Sequence, residues 1–299
     1  MQGDKEEFQR LVDEVWNAGL KNVISGVSIA EALQQAGIQP DFSASDMTDL
    51  RYVHRSTEKA EIYWVNNRKD EARTLEATFR VSGLKPTLWH PETGQVEEVS
   101  YTVSDGFTTV QLPLVQQDAV FVVFSGAGKG SFTVPAVQER QLAEISTPWT
   151  VAFDTAWGGP SQVTFDKLAS YTESEDPGIK YYSGTAVYTN KVTVNEADLQ
   201  NGSILIDLGK VGCLAEVKVN GQSAGVLWKA PYRADITSLL KAGENTLEIA
   251  VVNQWVNRLI GDAQPDAQQK YTYTSFTFYY PGSQLLPAGL MGPVRLVTK

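Results

Sequence analysis

The sequence predicts a mainly β chain: a small antiparallel β-sandwich followed by a two-sheet jelly roll, with a short α/β stretch at the N-terminus. Three observations predict it. Helical spacing occurs in the first forty residues; short β-type runs follow from Met47 onward; and Gly, Pro, Asn and Asp punctuate those runs every eight to twelve residues or so. The boundaries fall at residues 1–42, 43–130 and 131–299.

Phe8, Leu11, Val12 and Val15 recur at helical spacing, so residues 4–18 read as a helix capped by Asp4 and stopped by Gly19. Asn22-Val23-Ile24 has room for one short strand, and Ser28 with Glu31 opens a second helix that Gly37 and Pro40 end. Two helices and one strand cannot close a core alone. Residues 1–42 therefore read as the last unit of a larger α/β domain; the alternative is a helical cap that packs on the next sheet.

From Met47 to Gly126 the runs Ile62–Val65, Ala77–Val81, Val96–Val103, Thr108–Leu112 and Ala119–Phe124 read as strands, separated by Asn66-Asn67, Gly83, Pro86, Glu92-Thr93-Gly94 and Ser104-Asp105-Gly106. Ala119–Phe124 is apolar on both faces and is expected at the centre of its sheet. Gly126–Gly130 (GAGKG) reads as a flexible link; it lacks phosphate-loop spacing. Val134–Ser146 reads as an edge segment.

Trp149–Phe153, Gly184–Val194, Ser203–Leu208, Ala215–Asn220, Thr246–Asn253, Tyr271–Tyr280 and Pro293–Thr298 supply the strands of the jelly roll, and Tyr171–Tyr182 reads as a loop. The organising stretch is Leu214–Asp262. There Ala215, Val217 and Val219 alternate with polar residues, Asn220-Gly221 turns the chain, and Leu247, Ile249 and Val251 alternate again. The same stretch carries Trp228, Tyr232, Arg233, Asn253, Trp255, Asn257 and Arg258, a set of flat rings, amides and cations suited to the faces and hydroxyls of a sugar. The alternative is structural: the two tryptophans close the ends of the jelly roll and the polar groups satisfy loop carbonyls.

Three segments, VKVNG-x-x-x-G-x-x-W (Val217–Trp228), PYRADIT (Pro231–Thr237) and AGENTLEIAVVN (Ala242–Asn253), together resemble the galactose-binding-like jelly roll of the family 2 sugar-binding type. WVNRLIGD (Trp255–Asp262) and LLPAGLMGPVRL (Leu285–Leu296) resemble more narrowly the C-terminal part of family 106 glycoside hydrolases, the bacterial α-L-rhamnosidases. YVHRSTEKAEIYWVNN (Tyr52–Asn67) and LWHPETGQ (Leu88–Gln95) are similar to the β-domain ahead of it. The resemblance implies an accessory region whose partner is a catalytic barrel elsewhere in the same polypeptide, with plant or microbial glycans as ligands. It implies a periplasmic or extracellular parent, and His54 and Arg55 at a domain interface; a buried, hydrogen-bonded His54 is the alternative. A structural calcium ion suits this jelly roll type, although no Asp-x-Asp-x-Asp-Gly spacing argues for it.

Composition excludes several other classes. The 299 residues hold 25 Lys and Arg against 35 Asp and Glu, a net charge of −10 with no basic cluster, so a nucleic-acid partner is excluded. No apolar run approaches the roughly 18 residues a membrane span needs, and MQGDKEEFQR does not read as a signal peptide. Cys213 is the single cysteine and reads as a buried, inert thiol. His54 and His90 lie in no metal-ligand motif, so no metal site is expected. Glycoside hydrolysis needs two carboxyl groups roughly 5 to 10 Å apart. None of Asp154, Asp166, Glu173, Glu175, Asp176, Asp235 and Asp262 stands out as either, so no catalytic residue is assigned. The expectation is a non-catalytic accessory region; the rivals are a stand-alone carbohydrate-binding module and a self-sufficient glycosidase.

Overall fold

The computed structural model describes residues 4–20, 23–200 and 202–299. The chain forms two compact units, Met1–Pro135 and Ala136–Lys299.

In the first unit, the helix Lys5–Asn17 starts where the Asp4 carboxylate accepts the Glu6 and Glu7 amides, and the helix Ile29–Gln35 starts at a reciprocal Ser28–Glu31 capping box. Neither helix buries a residue: Phe8 is 68% exposed and Ile29 82%. The strand expected at Asn22–Ile24 falls partly outside the described residues, and Val23 and Ile24 belong to no strand.

Two antiparallel sheets follow. One runs Phe42–Ala44, Arg73–Phe79, Phe107–Leu114, Tyr101–Ser104, Ser131–Phe132; the other runs Leu50–Ser56, Ala60–Asn67, Ala119–Ala127, Leu84–Trp89, Val96–Glu98. Phe79, Leu112 and Val110 of the first and Tyr63, Val65, Val122 and Phe124 of the second fill a common core. Ala119–Ala127 sits centrally, as its apolarity on both faces requires.

The link expected at Gly126–Gly130 is corrected. Ala127 still pairs with Leu84, and Gly128 passes so close to that strand that a Cβ would lie 2.5 Å from the Leu84 carbonyl oxygen. Chain composition suggested slack where the backbone is in fact packed. Val96–Val103 likewise divides into two strands, one in each sheet.

In the second unit a larger sheet runs Val163–Phe165, Trp149–Phe153, Thr185–Val194, Gly243–Val252, Leu214–Val219, Gln222–Leu227. A smaller one runs Arg140–Glu144, Arg295–Thr298, Ile204–Asp207, Arg233–Asp235. Thr185–Val194 and Gly243–Val252 pair along their whole length, so Ala186, Tyr188, Val192 and Val194 share one face with Val251, Ile249 and Leu247. Their apolar side meets Ile204, Ile206 and Leu296 of the smaller sheet in one core. The edge segment expected within Val134–Ser146 is the edge strand Arg140–Glu144.

Asn220 and Gly221 both have positive φ, +51° and +81°, as a two-residue hairpin turn requires. The turn leads into Gln222–Leu227, which the sequence did not reveal as a strand because its burial does not alternate; Gly243–Val252 pairs on the opposite side of Leu214–Val219. Asn245 ties these turns together. Its Oδ1 accepts from Asn220 Nδ2 (2.8 Å) and the Lys241 amide (2.9 Å), and its Nδ2 donates to the Lys241 and Gly243 carbonyls. Tyr171–Tyr182, read as a loop, contains a turn of helix at Pro177–Lys180 capped by Asp176. Cys213 is half-buried, more open than its apolar neighbours suggested. Tyr271–Tyr280 is corrected from strand to irregular chain: the Asp262 carboxylate takes the Tyr271 and Thr272 amides that a sheet would otherwise hold.

Two outcomes follow from this packing. Asn245→Ala leaves several buried polar groups without partners, so it should lower stability by about 2–4 kcal/mol in urea unfolding, with the alternating strands unchanged by circular dichroism. In the first unit, Lys69 Nζ (2.8 Å) and the Thr48 amide (2.8 Å) hold the Asp46 carboxyl well below the usual carboxylate range. A folded-state pKa below the unfolded one gives stabilisation that is present above about pH 4 and is lost as pH falls through the folded value. Urea midpoints should therefore place Asp46→Asn below the unchanged protein at pH 7, with the gap narrowing under acidic conditions.

Candidate functional site

The expected sugar-contacting residues occupy three settings. Trp228 follows the Gln222–Leu227 strand and is 61% exposed. Tyr232 donates its hydroxyl to the Cys213 carbonyl at 2.7 Å, and burial pushes that phenol above its ordinary pKa. Arg233 donates its Nε to Asp207 at 2.8 Å, while its Nη1 reaches both oxygens of Glu139 at 3.0 and 3.1 Å. Within this group Trp228 offers a bare ring face; Tyr232 and Arg233 brace the backbone and the smaller sheet.

Asn253 and Asn257 form the second setting. Asn253 directly follows the long strand Gly243–Val252, and Asn257 lies on the helix Val256–Asp262 just beyond it. Asn257 makes a reciprocal pair with Leu286, accepting its amide at 2.8 Å and donating to its carbonyl at 2.7 Å. Asn253 Oδ1 accepts the Gly289 amide at 3.0 Å. Gly289 has φ +90° and lies against Tyr171, and Gly212 donates to its carbonyl; a Cβ on Gly212 would come within 2.9 Å of Asn253 Oδ1. These close approaches need glycine. They border a pocket of about 320 Å³ lined by Val211, Gly212, Asn253, Gln254, Asn257, Leu286, Pro287, Ala288 and Met291.

Trp255 and Arg258 form the third. Trp255 packs edge-on against Trp157 with ring centroids 4.7 Å apart. Arg258 and Asp262 make a buried ion pair (Nε to Oδ1, 2.9 Å), both side chains 6% exposed, with the guanidinium 4.9 Å over the Tyr271 ring. Asp262 Oδ2 accepts from the Tyr271 amide (2.9 Å), the Thr272 amide (2.7 Å) and the Thr272 hydroxyl (2.6 Å). A second pocket of about 270 Å³ opens beside this anchor, lined by Lys270, Thr272, Tyr273 and Tyr279 among others. Tyr273, Phe276, Phe278 and Tyr280 of the same run are all exposed. The sequence offered an alternation of Thr with aromatic residues at this run, and that signal pointed to a strand.

The remaining carboxylates act locally. Asp154 accepts the Ala156 amide, Asp176 the Gly178 amide and Asp235 the Thr237 amide and hydroxyl; Asp166, Glu173 and Glu175 are exposed. Among the described residues no group of three or more His, Cys, Asp or Glu side chains gathers as a metal would need, and no helix is long and apolar enough to cross a membrane. In the first unit His54 is held between two carboxylates, Nδ1 at 2.9 Å from Asp41 and Nε2 at 2.6 Å from Glu61, with its ring stacked 4.0 Å from Tyr63. Sequence spacing gave no sign of this clamp, because Asp41 lies before the strand and Glu61 across the hairpin. Arg55 is exposed.

Comparison with known proteins follows the same division. Residues 1–103 match the family 106 glycoside hydrolases, described as α-L-rhamnosidase, and residues 167–280 match the galactose-binding domain-like part of family 2 glycosyl hydrolases. A rhamnosidase from Novosphingobium sp. PP1Y superposes on all of this chain with a TM-score of 0.89 and 42% identity, over 29% of its own length. In its first 103 residues the chain resembles a family 106 rhamnosidase, and in residues 167–280 a galactose-binding-like domain. A putative β-glucuronidase of Formosa agariphila is 37% identical over 254 residues, 75% of this chain and 21% of that protein. The chain thus spans under a third of either relative, and the mainly β sandwich architecture is the one its sequence predicts.

The Arg258–Asp262 anchor generates a direct test. Asp262→Ala leaves a buried guanidinium and two backbone amides unpaired, which should cost about 3–5 kcal/mol. Limited proteolysis should then cut within residues 271–280 faster than in the unchanged chain; an unchanged cleavage pattern contradicts the anchoring role.

Proposed function

We propose that this chain is a non-catalytic accessory region of a family 106-type glycoside hydrolase that acts on rhamnose-containing glycans of plant or microbial origin. The observation that carries this is how its acidic side chains are employed. Glycosidic cleavage requires a carboxylic acid and a carboxylate facing one another across a sugar, free to exchange protons. Here Asp154, Asp176 and Asp235 hold turn amides, and Asp262 is committed to Arg258 and the Tyr271–Thr272 backbone. The pocket beside Asn253 is lined by amides and aliphatic groups.

The two N-terminal helices support the same reading. Phe8, Leu11, Val15 and Trp16 on one and Ile29 and Leu33 on the other lie open to water, although each helix is properly capped. Apolar stripes of this kind are formed to be covered. The cover we propose is the catalytic portion of the same polypeptide, which the much greater length of the two relatives accommodates. Arg55, exposed beside the clamped His54, is proposed to face that portion too.

Residues 1–299 alone should release no nitrophenol from an aryl α-L-rhamnoside above the buffer rate. Release that disappears on substituting any of the carboxylates above overturns the proposal. Because the helix faces contribute nothing to this chain's own core, Phe8→Ser and Ile29→Ser should each change its stability by under about 0.5 kcal/mol in urea unfolding while reducing binding of a hydrophobic dye.

A further inference from the structure

The central strand Ala119–Ala127 is apolar on both faces, and the core of its own unit uses only one of them. Val120, Val122 and Phe124 fill that core; Phe121 and Val123 alternate to the other side and belong to neither hydrophobic core. Residues directly opposite one another in an antiparallel sheet share a face, so the register carries this outer surface across the whole sheet. Val53 lies opposite Trp64, Trp64 opposite Phe121, Phe121 opposite Trp89, and Trp89 opposite Val96. The next row runs Arg55, Ile62, Val123, Thr87, Glu98. Val53 and Trp89 are each 45% exposed and Val96 56%. The outer face of a two-layer sandwich is ordinarily polar, and an apolar patch left open there marks a contact surface.

We propose that this face pairs with the same face of a second copy of the chain, about a two-fold axis running along Ala119–Ala127. Two features select that partner. The first row reads Val, Trp, Phe, Trp, Val from one sheet edge to the other, with Phe121 on the middle strand. Rotation about this axis exchanges the edges, so Trp64 of each copy meets Trp89 of the other, valine meets valine at both rims, and the two Phe121 rings meet at the centre. The second row carries opposite charges at its two ends, Arg55 and Glu98, both exposed. The same rotation sets each Arg55 over the other copy's Glu98. A two-fold axis across the strands would instead set Arg55 over Arg51, which lies on the same face two residues before Val53; like charges rule that arrangement out. The sheet's five strands give a face of roughly 500 Å². That is below the roughly 800 Å² per partner of a standard interface, so the dimer is weak and reversible.

Arg55, which the accessory reading above turns toward the catalytic portion, cannot serve both contacts, so the two exclude one another. Pairing of residues 1–299 alone does not depend on that reading. Analytical ultracentrifugation of residues 1–299, from low micromolar to submillimolar concentration, should show a monomer passing reversibly to a dimer. Trp89→Ser should weaken the dimer by about tenfold or more. Arg55→Glu and Glu98→Arg, at exposed positions that leave the fold intact, should each weaken it by about tenfold. Combined, they should restore it, because the pairs re-form with their signs reversed. Phe8→Ser and Ile29→Ser, on the helices, should leave it unchanged. A monomer at every concentration, a dimer indifferent to Trp89→Ser, charge variants that fail to compensate, or a dimer dissolved by the helix variants overturns the proposal. Rhamnoside cleavage, which decides the accessory role, is independent of each of these results.

Discussion

Backbone amides that leave a sheet must find other partners, and in this protein one short segment provides them. Directly after the strand Gly243–Val252, Asn253, Asn257 and Asp262 each reach from the sheet end or the following helix to the irregular chain returning toward the C-terminal strands. Asp262 holds Tyr271 and Thr272 at the start of that return, Asn257 holds Leu286 near its end, and Asn253 holds Gly289 where it re-enters the core. Leu290 then donates to the buried Tyr188 hydroxyl at 3.0 Å, and the chain resumes pairing at Leu290–Gly292. The two pockets described above border this segment.

The energetic logic is that of burial with compensation. Arg258 and Asp262 would be expensive to bury singly; as a hydrogen-bonded pair, with the carboxylate's other oxygen taking three donors and the guanidinium over an aromatic ring, they are satisfied. Asn245 follows the same rule at the opposite end of its strand, with every amide atom used. Asn253 departs from it at one atom, its buried Nδ2, which has no hydrogen-bond partner among the described residues.

Much of the architecture was legible because the strongest cues are local. Period-two patterning located Trp149–Phe153 and Thr185–Val194 closely, and the capping residues Asp4 and Ser28 marked the helix starts. The strand Leu50–Ser56 escaped periodicity because it lies at a sheet edge with most of its residues exposed. Tyr271–Tyr280 carried a strand's alternation without a strand's partner, and a carboxylate far enough away in sequence to be invisible to pattern captured its first amides. The polar set around Trp228 and Arg258 was visible as composition. Which of its members brace the fold and which face a pocket depends on partners such as Glu139, Leu286 and Gly289, contributed by distant parts of the chain.

Fastening the return stretch at its two ends has an evolutionary corollary. Lengthening a tethered loop adds only about 0.6 kcal/mol for each doubling of its span. Insertions and deletions between Thr272 and Leu286 can therefore accumulate while the anchors and the sheets stay as they are. That run of exposed aromatic residues is where this scaffold can change length at little cost to its fold.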